Sequence, residues 1–177
     1  AGMVSLGMPS TAPVSLDDML RISAAVRRGA PDTFVIGDMP FGSYEVSQED
    51  AARSAIALIK GAGVDAVKLE GGKRIASRIE SIVDCGIPVM GHLGLTPQTA
   101  SGTTGYRPYG RSREQIQELH RDMLAVAEAG AFSVLLEGIP GDLTAVVRSW
   151  VNIPVYGIGA GTEVDGQLLL AYDLLGL

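Results

Sequence analysis

The stretch Ala131-Phe-Ser-Val-Leu-Leu-Glu137 is a short apolar run that follows Gly130 and closes on a carboxylate. A run of this length and composition is typical of a strand buried in a parallel sheet. Similar runs recur along the chain and predict further strands over Thr33–Asp38, Asp65–Glu70, Ile87–His92, Ile153–Ile158 and Gln167–Tyr172. The sequence therefore predicts a sheet whose strands are spread along the whole chain.

Helical patterns fill the segments between these runs. Three helices are predicted to begin at Ser15, Ser47 and Ser112, each followed three residues later by an acidic or amide side chain. Two more are predicted over 75–86 and 142–150, and 93–111 is predicted to be a long loop rich in Gly, Thr and Pro. Strands that alternate with helices predict an α/β fold, and either an open doubly wound sheet or a (β/α)8 barrel fits.

Composition excludes several classes of protein. The 177 residues are 46% hydrophobic and 19% charged, which excludes a disordered chain, and no apolar run is long enough for a membrane span. A net charge of −6 argues against a nucleic-acid partner. The single cysteine excludes a disulfide framework and a multi-cysteine zinc site. It fits a reducing compartment, so we expect a cytoplasmic protein.

Polar side chains end the predicted strands: Asp38, Glu70, His92 and Glu137. In a barrel, these ends meet at the mouth where catalysis occurs, and Lys68 lies on the same strand face as Glu70. A hard divalent cation such as Mg²⁺ would balance the carboxylates and could chelate a 2-oxo acid. A carboxylate that does not bind the metal could then act as a base, and Glu137 is the candidate. The alternative is that these residues only cap helices or pair with Lys and Arg.

Longer strings of sequence carry a resemblance to a known family. They are Gly37–Tyr44, Val67–Gly72, Ile87–Gln98 and Gly157–Gly161, the last followed by Asp165-Gly-Gln167. In this order they resemble the ketopantoate hydroxymethyltransferases. The resemblance implies a (β/α)8 TIM barrel of the phosphoenolpyruvate mutase/isocitrate lyase type. It also implies transfer of a hydroxymethyl group from 5,10-methylenetetrahydrofolate to 3-methyl-2-oxobutanoate, giving 2-dehydropantoate in pantothenate synthesis.

The resemblance also implies roles for individual residues. Asp38 is similar to a Mg²⁺ ligand that also contacts the oxo acid, and Glu70 to a further metal ligand that acts through water. Lys68 and His92 are similar to substrate-binding residues, and Glu137 to the proton acceptor. The implied cofactors are Mg²⁺ and, as cosubstrate, 5,10-methylenetetrahydrofolate. The implied partners are these small molecules and further copies of the chain, for example in a decamer, with no nucleic acid and no membrane.

The family pattern also contains segments that have no match here. The family has two earlier strands, the second ending in Gly-Asp-Ser, and C-terminal helices. A typical barrel has about 250 residues. We therefore expect residues 1–177 to form one barrel domain that is an internal portion of a longer chain, and to lack normal activity if isolated. Two alternatives stay open: another Mg²⁺-dependent enzyme of the superfamily, acting on a carbon–carbon or carbon–phosphorus bond, or a non-catalytic fragment.

Overall fold

The structure, a computed structural model, describes residues 2–100 and 108–176. The described residues form one sheet of six parallel strands in chain order: β1 (Ile36–Asp38), β2 (Ala66–Glu70), β3 (Val89–Gly94), β4 (Ser133–Glu137), β5 (Val155–Ile158) and β6 (Gly166–Gln167). An open doubly wound sheet reverses its strand order at a switch point, whereas a barrel wall adds each strand next to the last. The strand order therefore confirms the barrel and excludes the open sheet.

Helices alternate with the strands. They are α1 (Gly2–Leu6), α2 (Leu16–Gly29), α3 (Gln48–Ala62), α4 (Ala76–Asp84), α5 (Pro97–Ala100), α6 (Arg113–Glu128), α7 (Gly141–Arg148) and α8 (Ala171–Leu175), with a 3-10 turn over Lys73–Ile75. Of these, α2, α3, α4 and α6 pack against the sheet. None of the helices in the described residues is long and apolar enough to cross a membrane.

The predicted starts of the three longest helices are confirmed. The Ser15, Ser47 and Ser112 hydroxyls each accept the backbone N–H of the residue three positions later. Ser15 and Asp18 form a complete capping box, in which each side chain accepts the other's N–H. Capping satisfies N–H groups that the first helical turn leaves without partners, so short serine motifs fix where each helix begins.

The core lies between the sheet and the helices. Alternate strand residues such as Val67, Leu69 and Leu136 are fully buried in one apolar cluster with side chains of α3, α4 and α6. Gly91 allows α6 to approach β3 closely, because a Cβ at this position would overlap Val126 of α6. The strand face that packs against the helices is therefore apolar, and the polar strand residues lie on the opposite face.

Several predicted boundaries are wrong. β1 begins at Ile36, because the Val35 N–H and the Thr33 carbonyl are bound by the side chains of Asp65 and Arg27. β6 covers only Gly166–Gln167, and the apolar residues predicted to extend it lead into α8, with Leu169 66% exposed. The predicted loop 93–111 lies partly outside the described residues. Inside them it contains the last residues of β3 and all of α5.

Candidate active site

The strand register brings the predicted site residues onto one face. Asp38 pairs with Lys68, Glu70 pairs with His92, and Glu137 pairs with Gly94, two residues after His92. Paired residues on parallel strands point to the same side, and so do residues two apart on one strand. All five predicted side chains therefore project from β1 to β4 on the side of the sheet opposite α3, α4 and α6.

Lys68 lies at the centre of this cluster. Its Nζ is 2.7 Å from Asp38 Oδ1 and 3.4 Å from His92 Nδ1, and its side chain is only 14% exposed. Burial by itself lowers the pKa of Lys68, but the neighbouring charges of Asp38 and Glu70 outweigh burial and raise it above the ordinary value. The lysine therefore stays an ammonium cation beside the carboxylates.

His92 links two carboxylates of different strands. Its Nδ1 is 3.3 Å from Glu70 Oε1, and its Nε2 is 3.1 Å from Glu137 Oε2. Burial and the charge of Lys68 lower the pKa of His92, but its contacts with Glu137 and Glu70 outweigh both, so the net pKa is raised. The ring of His92 therefore connects the carboxylate at the end of β2 with the carboxylate at the end of β4.

The three carboxylates differ in their access to a ligand. Glu70 is 3% exposed, and its oxygens contact His92 and the backbone N–H of Gln98, the latter at 3.0 Å. The side chains of Asp38 and Glu137 are 42% and 24% exposed. Asp38 and Glu137 can therefore reach a bound molecule at the mouth, whereas Glu70 supports the cluster from below.

The side chains at the mouth can be compared with the ligands that the predicted Mg²⁺ ion requires. Within residues 2–100 and 108–176, no group of three or more His, Cys, Asp or Glu side chains is arranged to hold a metal ion. Asp38 supplies carboxylate oxygen, which suits Mg²⁺, at an accessible strand end. Glu70 has both oxygens engaged, so it fits an ion only through a bound water. Among the described residues, Asp38 is therefore the carboxylate through which a cation could be held, and its remaining ligands would be water and substrate.

Two buried residues of the site have no predicted role. Tyr44 is fully buried, and its hydroxyl lies 3.3 Å from the Oε1 of Gln98, which is 8% exposed. Burial, followed by the charges of Glu45 and Glu70, raises the pKa of Tyr44, so its hydroxyl remains protonated. Both residues lie in the strings that carry the family resemblance, but nothing in their spacing indicates that they meet.

Solved structures resemble the fold as a whole. A putative phosphonomutase from Burkholderia cenocepacia J2315 matches with a TM-score of 0.72 and 18% identity, over 97% of this chain and 76% of that one. A phosphonopyruvate hydrolase matches with a TM-score of 0.66 and 15% identity, over 98% of this chain and 66% of that one. Similarity at this identity bears on the fold alone. It supports the predicted barrel fold.

Curated relatives are much closer in sequence. A 3-methyl-2-oxobutanoate hydroxymethyltransferase from Alkaliphilus metalliredigens is 53% identical over 175 residues, which are 99% of this chain and 62% of the relative. The protein of the same name from Heliobacterium modesticaldum is 50% identical over 176 residues, which are 99% of this chain and 64% of the relative. The chain thus spans less than two thirds of these relatives. The model of the ketopantoate hydroxymethyltransferase family matches residues 1–177, and the chain belongs to that family.

Proposed function

We propose that this chain carries the active-site cluster of an enzyme that transfers a hydroxymethyl group from 5,10-methylenetetrahydrofolate to 3-methyl-2-oxobutanoate. The product is 2-dehydropantoate; water supplies the new hydroxyl oxygen and tetrahydrofolate is released. Family membership and the names of the relatives support this reaction. The observation that carries the proposal is that Lys68 and His92 join Asp38, Glu70 and Glu137 in one connected polar cluster.

The first task of the cluster is to hold the 2-oxo acid. Lys68 is a buried cation at the base of the mouth, so it attracts the anionic substrate and fixes its orientation. Asp38 would hold Mg²⁺, with Glu70 reaching the ion through water. When bound, the cation would supply Lewis-acid polarisation of the ketone. His92 would limit the space beside the substrate and hold Glu137 in place.

The second task is to remove the proton on C3 of the substrate. His92 contacts Oε2 of Glu137, so we assign Oε1 to the C3 proton. The electron pair of the broken C–H bond moves into the bond between C2 and C3, and the negative charge develops on the ketone oxygen. Lys68 would stabilise that charge electrostatically, because its ammonium group lies in the same cluster as Asp38 and His92.

Deuterium exchange tests the proposal without the folate. The intact protein, incubated with 3-methyl-2-oxobutanoate and Mg²⁺ in D₂O, is expected to exchange the C3 proton, followed by ¹H NMR. Addition of 5,10-methylenetetrahydrofolate is expected to give 2-dehydropantoate in amounts that match the tetrahydrofolate formed. Absence of both exchange and product in the intact protein contradicts the proposal. Exchange without product retains the proton transfer and contradicts the folate as donor.

The proposal extends to the assembly and the location of the protein. We propose a cytoplasmic homo-oligomer. Exposed apolar side chains around α8 provide surface that another protein surface could cover, including Leu170, Leu174 and Leu175. Cys85 is a free, exposed thiol, which is compatible with a reducing compartment.

A further inference from the structure

The backbone hydrogen-bond ladder between β1 and β2 is interrupted at the mouth, where side chains take the place of a backbone partner. The Met39 N–H donates to the Lys68 carbonyl at 3.0 Å, and a regular parallel ladder would continue from the Glu70 N–H to the Met39 carbonyl. Instead, the Glu70 N–H donates to the Tyr44 hydroxyl at 3.2 Å. The Met39 carbonyl accepts a hydrogen bond from the Gln98 side-chain amide at 2.9 Å. Two side chains thus replace one backbone hydrogen bond.

The two inserted side chains are also bonded to each other. The Tyr44 hydroxyl lies 3.3 Å from Gln98 Oε1 and 3.3 Å from the Glu70 carbonyl, so its proton has two acceptors. Both residues are buried, and buried polar groups of this kind hold a fixed geometry because each loses its partner if it moves. The pair therefore fixes how far the ends of β1 and β2 separate.

Gln98 connects this pair to the carboxylates. Its backbone N–H donates to Glu70 Oε2 at 3.0 Å, which leaves Glu70 Oε1 facing His92 Nδ1 at 3.3 Å. His92 Nε2 in turn lies 3.1 Å from Glu137 Oε2. A continuous series of polar contacts thus runs from Tyr44, in the segment between β1 and α3, to Glu137 at the end of β4.

We infer that Tyr44 and Gln98 are a positioning pair that sets the separation of the β1 and β2 ends and, through Glu70 and His92, the orientation of Glu137. Neither residue touches the substrate in this scheme. The effect on catalysis rests on the proposed function, but the effect on His92 does not. We expect the pair to act as a unit, because the two side chains are bonded to each other and together bridge the Met39 carbonyl and the Glu70 N–H.

Exchange kinetics test the catalytic part of this inference in the intact protein. Tyr44→Phe and Gln98→Met roughly keep the side-chain volume and remove the side-chain hydrogen bonds to each other and to the backbone of β1 and β2, while the Gln98 backbone N–H to Glu70 stays. Each is expected to lower kcat for C3 exchange about 10- to 100-fold, the scale of a small misplacement, with a smaller change in KM. The double variant is expected to be no slower than the slower single variant, because the two residues form one unit. Tyr109→Phe is the matched control, since its hydroxyl donates to Glu118 on α6.

Nuclear magnetic resonance tests the inference independently of activity. This chain has two histidines, His92 and the exposed His120, so ring ¹⁵N signals can be assigned with His92→Gln and His120→Gln variants. At one fixed pH, Tyr44→Phe and Gln98→Met are expected to shift the His92 ring signals and leave those of His120 in place. Tyr109→Phe is expected to move neither.

The outcomes separate this inference from the proposed function. Shifted His92 signals in a protein without exchange activity support the positioning pair and contradict the proposed reaction. Unshifted His92 signals in both folded variants overturn the inference, as does wild-type exchange in both. If Tyr44→Phe does not fold, judged by circular dichroism against Tyr109→Phe, Gln98→Met decides alone. A double variant whose loss equals the product of the single losses also overturns the inference, because it shows two independent roles.

Discussion

Glu137 is the residue on which the proposed proton transfer depends most directly. Glu137→Gln keeps the size of the side chain and its contact with His92 but removes the basic oxygen. General-base catalysis contributes about 10²- to 10⁴-fold, so we expect C3 exchange to fall by about that factor. Substrate KM is expected to change little, because Lys68 and Asp38 are intact. Exchange rates measured by ¹H NMR at saturating substrate check this, and an unchanged rate removes Glu137 from the role of base.

His92 is expected to make the free energy of unfolding depend on pH, and its neighbours set the sign of that dependence. Burial and Lys68 lower its pKa, but the contacts with Glu137 and Glu70 prevail and leave the folded-state pKa raised. A raised pKa means that the protonated ring stabilises the folded protein below its ordinary pKa of about 6.5. That stabilisation is lost as the pH rises through the folded-state value.

The measurement is urea unfolding at a series of pH values for wild type and His92→Gln. We expect the difference in unfolding free energy between them to be largest at or below about pH 6.5 and to shrink at higher pH. His120→Gln is the control, because His120 is exposed. If the difference in unfolding free energy grew with pH instead, His92 would be neutral in the folded protein.

Four of the five site residues could be predicted from sequence because each ends a predicted apolar run, and Lys68 because it lies two residues before Glu70 on the same strand face. The carboxyl ends of the strands in a parallel barrel meet at one mouth. Tyr44 and Gln98 could not be predicted in the same way. Their contact depends on how the ends of β1 and β2 separate and on where the segments after β1 and β3 fold back. No residue pattern in the sequence indicates either of these.

Among the elements, the 3-10 turn after β2 depends on one glycine. Asp122 Oδ1 of α6 accepts the Lys73 N–H at 2.8 Å and so caps this turn, and a Cβ on Gly72 would overlap the Asp122 carboxylate. Gly72→Ala is therefore expected to displace Asp122 and cost about 2 kcal/mol of unfolding free energy, from the clash and the lost cap together.

Thermal or urea unfolding measures this cost, with Gly29→Ala at the end of α2 as the matched substitution. No atom lies within 4 Å of a Cβ built on Gly29, so this change is expected to be close to neutral. Equal stability of the two variants would show that Asp122 does not restrain the turn.

The starts of the long helices followed local chemistry more closely than the bounds of the strands did. The serine caps of α2, α3 and α6 are short-range signals, so the sequence contains what is needed to predict them. The start of β1 depends instead on Asp65 and Arg27, which approach from other parts of the chain. The apolar run after Gln167 looks like strand because pairing of neighbouring strands cannot be seen in a single segment.

At the scale of the whole molecule, the alternation of strands and helices left two architectures open. The choice between them depends on which strands are neighbours in space, and the pattern of strands and helices in the sequence does not indicate this. The observed strand order, β1 to β6, is that of a barrel wall, and it brings residues from four strands to one place. A ligand at this place would therefore connect elements that are distant in sequence.

This connection predicts that the substrate stabilises the whole fold. A ligand at 100 times its Kd raises the unfolding free energy by about 2.7 kcal/mol, provided that it binds only the folded state. We expect 3-methyl-2-oxobutanoate with Mg²⁺ to raise the Tm in this way, and EDTA or Asp38→Asn to remove most of the shift. The control ligand is 3-methylbutanoate, which keeps the carboxylate but has no ketone oxygen, and it should give a much smaller shift. Equal shifts from the two acids, unaffected by EDTA, would show that Lys68 binds the carboxylate without a cation on Asp38.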